Sequence, residues 1–203
     1  MIALIAITDA DADPIAPAVR AVTVGSLAAL CVPADEGPVD LDAVARRGEL
    51  FDGLMEHDLL PVRFGAVVED ERAAGRMVAE RHDELAAALE RVRGAVELGV
   101  RVQPAAGASN ATAARSSGRE YLRQRAREFE RVQQIHDQLA AMSREATQRP
   151  GRELLRAAYL VERAKVAAFV DEVRRLQEEY AELAVLCTGP WPPFSFAAPE
   201  EPG

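Results

Sequence analysis

Three histidines, two cysteines and a set of carboxylates are the residues of this chain that could do chemistry, and their spacing decides whether they can act together. His57, His82 and His136 lie far apart, and none begins an H-E-x-x-H or comparable metal-ligand pattern. His82-Asp83-Glu84 resembles a ligand cluster only on paper, because adjacent helix residues point in different directions. Cys31 and Cys187 sit in apolar runs without the short spacing of a metal or redox pair, so both are expected to be buried and reduced. No G-x-S-x-G elbow, Walker loop or G-x-G-x-x-G follows a strand, which leaves acyl transfer and nucleotide chemistry without a foothold. The expectation is therefore a chain with no catalytic residues, no metal and no cofactor.

Composition narrows the partners. The net charge of −9 opposes attraction to nucleic acid or an anionic membrane surface, and neither is expected as a partner. The arginine run Arg115, Arg119, Arg123, Arg125, Arg127, Arg131 is interrupted by Glu120, Glu128 and Glu130 and lacks an aromatic platform for bases. Lys165 is the sole lysine, a compositional habit. The N-terminus, MIALIAITDADAD, has no basic segment before its apolar run, which reads as a first strand and not as a secretion signal. No uncharged apolar stretch reaches the ~18 to 20 residues that span a bilayer.

Two segments stand out as interaction or structural motifs. In LLPVRFGAVV, Arg63 stands mid-strand beside Pro61 and Gly65, opposite Phe64; a guanidinium there needs a carboxylate, carbonyls or an interface. In TGPWPPFSF, Gly189, Pro190, Trp191, Pro192, Pro193 and Phe194 set aromatic rings on a proline-stiffened backbone, which loses little entropy on docking. That segment either wraps its own domain or presents Trp191 and Phe194 to another protein. His136 falls on an apolar helix stripe, where an imidazole needs a partner.

The elements that would hold these motifs follow from periodicity. Ile2 to Thr8 and Ala21 to Val32 read as strands, with Gly25 a bulge or bend in the second. Asp40 or Asp42 can cap a helix through Glu56. Leu59 to Val68 alternates as one strand with Leu60, Val62, Phe64, Ala66 and Val68 toward the core, followed by a long helix over Glu69 to Arg93. Ala95 to Val102 alternates again, with Val96, Leu98, Val100 and Val102 inward. Residues 103–118 change to Ala, Ser and Gly and predict a flexible loop. Ser117 and Glu120 offer a capping box to a helix reaching about Thr147, with Leu122, Phe129, Val132, Ile135, Leu139 and Met142 as its apolar stripe. Leu154 to Val161 fits a strand or the first turns of a helix; Val166 to Tyr180 is a helix and Leu183 to Thr188 a closing strand. This alternation predicts an α+β protein of two small domains, residues 1–94 and 95–203, the second carrying long amphipathic helices and the aromatic tail 189–196.

Pro61 to Val67 and Leu186 to Phe196 together resemble the gas-vesicle protein F/L family, whose members share a P-[VL]-R-F-G-[TA]-V strand and a closing L-x-x-T-G-P-W-P-P-[FY]-S-F segment. VELGVRV, SGREYLRQR and AAYLVERAKVAAFVDEV lie between them in the family's order. Ala66 stands where a threonine is common, and Ser143 to Gly151 is short for an edge strand. The resemblance implies a ferredoxin-like second domain, a strand at Leu154 to Val161, and a non-enzymatic accessory or minor component located at the gas vesicle. It also implies partners: the hydrophobic shell protein A and other accessory proteins. A small-molecule-binding regulatory protein is the alternative, and it would need a concave polar pocket near Arg63 or His136.

Overall fold

A computed structural model describes residues 1–12, 18–34, 41–105 and 118–197. Mixed helices and antiparallel sheets form two compact units, one comprising residues 1–95 with 191–203 and the other 96–190. The aromatic tail from Trp191 therefore belongs to the same unit as the N-terminal strands.

In the first unit β1 (Ile2–Asp9), apolar from Ile2 to Ile7, is flanked on both sides, as its composition demands. It pairs antiparallel with β3 (Leu27–Pro33), which pairs with β2 (Arg20–Val24). The expected single strand over Ala21 to Val32 is thus a hairpin. Val24 faces Leu27 across a two-residue loop whose first residue, Gly25, has φ +61°, the place where a type II′ turn requires glycine. Helix α1 (Leu41–Leu54) buries Phe51 and Leu54 against Ile5, Ala6 and Leu30. Asp40, a candidate cap, and Ser117, the other capping residue, lie outside the described residues, as does most of the expected loop 103–118.

The expected strand Leu59 to Val68 is interrupted. β4 (Leu60–Pro61) and β5 (Val67–Val68) both pair with β1, and between them the chain turns out of the sheet, with the Ala66 amide donating to the Arg63 carbonyl at 3.3 Å. Gly65 at φ +89° allows that turn. Phe64, expected in the core, is consequently 42% exposed. The long helix expected over Glu69 to Arg93 is likewise two: α2 (Glu71–Glu80), capped by the Asp70 carboxylate on the Ala73 amide, and α3 (His82–Val92), with Arg81 at φ −120° breaking the run.

The end of α3 is fastened by charge. Arg93 donates two hydrogen bonds to Asp9, at 2.7 and 3.0 Å, and lies 3.6 Å from Asp58, which accepts from the Gly94 amide and whose own carbonyl accepts from the buried Thr8 hydroxyl. Arg93 holds the Asp9 carboxyl below the usual carboxylate range. A depressed folded-state value means stability that is present above the unfolded carboxylate range, near pH ~4, and lost as pH falls through the folded value. Thermal melts of Asp9→Asn should therefore lie below the parent at pH 7 and converge with it in acid. Because both groups are about a third exposed, the deficit at pH 7 is about 1 kcal/mol.

The second unit is a four-stranded antiparallel sheet in the order β7-β8-β6-β9, built from β6 (Ala95–Pro104), α4 (Gly118–Ala141), β7 (Glu145–Gln148), β8 (Leu155–Glu162), α5 (Val166–Glu179) and β9 (Leu183–Trp191). Leu98, Val100 and Val102 of β6 alternate into the core, where they meet Tyr159 and Val161 of β8 and Phe169, Val173 and Leu176 of α5. β8 settles the ambiguous Leu154 to Val161 as a strand. The expected helix to Thr147 stops at Ala141, and Glu145–Gln148 is the edge strand β7, held in register by Thr147 opposite Ala158. β6 also runs two residues into the expected loop. Both cysteines are free, but only Cys31 is buried as expected, Cys187 being half-buried; burial pushes the Cys31 thiol up to about 11, which suits an inert core residue.

Helix α4 divides its expected stripe. Val132, Ile135 and Leu139 are buried, but Leu122 and Phe129 are 68% and 70% exposed. Counted at about 100° per residue, the latter two face about a quarter turn away from the former, so the sheet that receives Val132 does not receive Phe129.

Candidate functional site

In the first unit the closing segment forms a strap. At the end of β9 the chain passes Gly189, at φ 113°, and Pro190, joined to it by a cis bond, to Trp191, and then turns on itself over 194–196, with the amides of Phe194 and Phe196 donating to the carbonyls of Pro192 and Pro193. Phe196 is 1% exposed, and the Arg91 guanidinium donates to its carbonyl. Pro192 and Pro193 are buried as well. Phe194 stands edge-on to Phe51, ring centroids 5.3 Å apart at 80°, while remaining 43% exposed. Trp191 is 49% exposed. The strap thus anchors itself at Phe196 and leaves two aromatic faces in water. One segment combines a buried end that wraps its own unit with two rings left about half exposed.

The other motif of this unit is also a presented turn. Pro61 is buried in β4, beside which the Val62 amide donates to the Ile5 carbonyl, and Arg63, Phe64 and Gly65 are exposed. Arg63, expected mid-strand opposite Phe64, stands in the turn for the same reason as Phe64. His136, in the second unit, has the partner an imidazole on an apolar stripe requires: its Nδ1 lies 2.8 Å from the hydroxyl of Tyr159, which is fully buried. Desolvation raises the Tyr159 phenol, so it stays a neutral hydroxyl in this pair.

Other polar constellations are less able to do chemistry. Ser26 Oγ lies 3.3 Å from His82 Nε2, and His82 Nδ1 lies 3.3 Å from Asp83, a hydroxyl–imidazole–carboxylate order. Asp83 is fully exposed, however, so water competes for the bond that would orient the ring. The contact works as a cap on the hairpin tip, where a Cβ on Gly25 would come within 2.9 Å of His82 Nε2. A cavity of about 280 Å³ in the second unit is lined by Ala141, Met142, Ser143, Arg144, Glu162, Lys165 and Ala168, not by His136. Its carboxylate already accepts from both cations, Glu162 meeting Lys165 at 3.0 Å and Arg144 at 3.4 Å. Among the described residues no three His, Cys, Asp or Glu converge as metal ligands, and no helix is long and apolar enough to cross a membrane.

Sequence reasoning missed the Asp9–Arg93–Asp58 fastening and the exposure of Leu122 and Phe129. The wheel positions of the latter carried the second signal; the first joins residues too distant in sequence to announce themselves.

Comparison with known proteins gives a consistent picture. The model of the gas vesicle synthesis protein GvpL/GvpF family matches residues 6–198. Gas vesicle protein L of Streptomyces sp. (strain CB03234) is 33% identical over 166 residues, covering 68% of this chain and 62% of that protein. Gas vesicle protein F1 of Halobacterium salinarum is 29% identical over 145 residues, covering 70% of this chain and 60% of that one. The matched part of the chain thus spans 62% and 60% of the length of these two relatives. The crystal structure of the gas vesicle protein GvpF from Anabaena sp. PCC7120 superposes with a TM-score of 0.82 over 98% of this chain and 97% of that one, at 16% identity, a likeness of fold.

Proposed function

Because the chain belongs to the gas vesicle synthesis protein GvpL/GvpF family, we propose that it is a non-enzymatic accessory or minor structural protein of gas vesicle assembly that binds the apolar shell protein A and other accessory proteins. The observation that carries this reading is the strap: Trp191 and Phe194 stay about half exposed on a segment whose other end, Phe196, is locked in the core. Rigid, pre-ordered aromatic rings at a protein surface lose little entropy on binding and gain most from meeting an apolar partner. The exposed turn at Arg63, Phe64 and Gly65 offers a second contact of the same kind, with a guanidinium for a carboxylate or carbonyl. A subunit destined for a gas-filled wall exposes apolar surface before assembly, and an acidic partner that covers it keeps the complex dispersed. Its place of action is the gas vesicle.

The second unit reads as ferredoxin-like: β-α-β-β-α-β in chain order, with the strands arranged β7-β8-β6-β9, supports that assignment.

Co-expression with the shell protein followed by affinity capture tests the proposal. The parent chain should retain the shell protein, and Trp191→Ala with Phe194→Ala should lose at least ~10-fold of it while keeping the parent's circular dichroism, since ring burial of this kind is worth 2 kcal/mol or more at an interface. Failure of the parent chain to capture any shell protein overturns the function; full capture by the double variant overturns the role of the strap.

A further inference from the structure

We propose that this chain pairs with a second copy of itself through the first half of α4, antiparallel, with Leu122 of each copy packed on Phe129 of the other. The surface is unusual for a helix of a folded unit. Every described side chain from Arg119 through Arg131 is exposed except Glu128, which is half-buried. That is about 20 Å of helix that the other described residues leave largely open to solvent. Along it Leu122, Ala126 and Phe129 recur at i, i+4 and i+7, making a narrow apolar seam of the kind two helices share. This seam lies about a quarter turn from the one formed by Val132, Ile135 and Leu139, so its own sheet cannot close over it.

The charges beside the seam identify the occupant. On one flank stand Arg119 and Arg123 toward the N-terminal end and Glu130 toward the C-terminal end. When two such helices run antiparallel with Leu122 opposite Phe129, Glu130 of each copy falls between Arg119 and Arg123 of the other. On the opposite flank the same two-fold brings Arg125 beside its copy, each already neutralised by its own Glu128 at 2.9 Å. A parallel pairing would set arginine against arginine and glutamate against glutamate throughout. The segment is thus complementary to itself in one orientation only, as an isologous contact requires, and the antiparallel helix dipoles add to it. The paired helices bury roughly 1,000 Å² in total, at the lower limit of specific interfaces, so the dimer is reversible and populated at micromolar concentrations.

Sedimentation velocity of the full chain between about 1 and 200 µM should show the 21.9 kDa monomer giving way to dimer as concentration rises. Leu122→Glu with Phe129→Glu, both at exposed positions, should remain monomeric throughout with unchanged circular dichroism. Glu130→Arg alone should weaken dimerisation about 10-fold or more. Adding Arg119→Glu and Arg123→Glu to that chain reverses both signs and should restore it. A parent chain that stays monomeric over the whole range overturns the proposal, as does a dimer indifferent to Leu122 and Phe129. Loss on Glu130→Arg without rescue by the full reversal overturns the antiparallel register.

Discussion

Replacing Phe196 with alanine is expected to destabilise the first unit by about 3–5 kcal/mol, the cost of deleting a fully buried ring that its surroundings cannot collapse to replace. Phe196 is 1% exposed, and its loss frees the segment that carries Phe194 onto Phe51, itself a member of the core with Ile5, Leu30 and Leu54. Trp191 is the only tryptophan of the chain, so its fluorescence during urea unfolding reads the strap directly. In Phe196→Ala its transition should move to much lower urea. Trp191→Ala, by contrast, removes a ring already 49% exposed and should cost about 1 kcal/mol or less, measured by circular dichroism. Equal costs for the two substitutions would show that anchoring and presentation are not divided along the strap as the geometry divides them.

What could be read from the sequence depended on whether local pattern and tertiary surroundings agreed. β6 was legible because alternation at Leu98, Val100 and Val102 admits one buried solution, whereas the apolar run of β8 suits a strand or a helix equally and only the family resemblance pointed to the strand. The interruption between β4 and β5 was not legible, because Val62, Phe64 and Ala66 keep a perfect alternation through a turn that Gly65 alone makes possible. The break at Arg81 between α2 and α3 has no proline or glycine to mark it. In α4 the pattern misled by being too rich: Leu122 and Phe129 fit a three-four spacing with Val132, yet over two turns that spacing spreads across more of the helix than one sheet covers. At the candidate site, the special character of TGPWPPFSF was plain from composition, whereas its division into a buried end and an exposed end depends on where Phe51 and Arg91 stand, residues far away in the chain.

Tyr159 joins the two kinds of information, an apolar run visible in sequence and a polar partner that only the fold supplies, and it should be the most sensitive position of the second unit. Its ring is fully buried, 5.4 Å from Phe169 and 5.7 Å from His136, so Tyr159→Ala opens a cavity among Phe169, Val173 and Leu98 and is expected to cost about 3–5 kcal/mol in chemical denaturation. Tyr159→Phe keeps the packing and removes only the hydroxyl bonded to His136, for an expected loss of about 1–2 kcal/mol. The phenol has a second signature. Burial raises it above the ordinary tyrosine range, so the stability it contributes is full below the unfolded value, near pH ~10, and lost as pH rises through the folded one. The parent should therefore destabilise more steeply than Tyr159→Phe above pH ~10, because only the parent must keep a phenol neutral in the core. Parallel alkaline profiles for the two chains would mean that the hydroxyl is solvated and the pair with His136 open, contrary to the 2.8 Å contact.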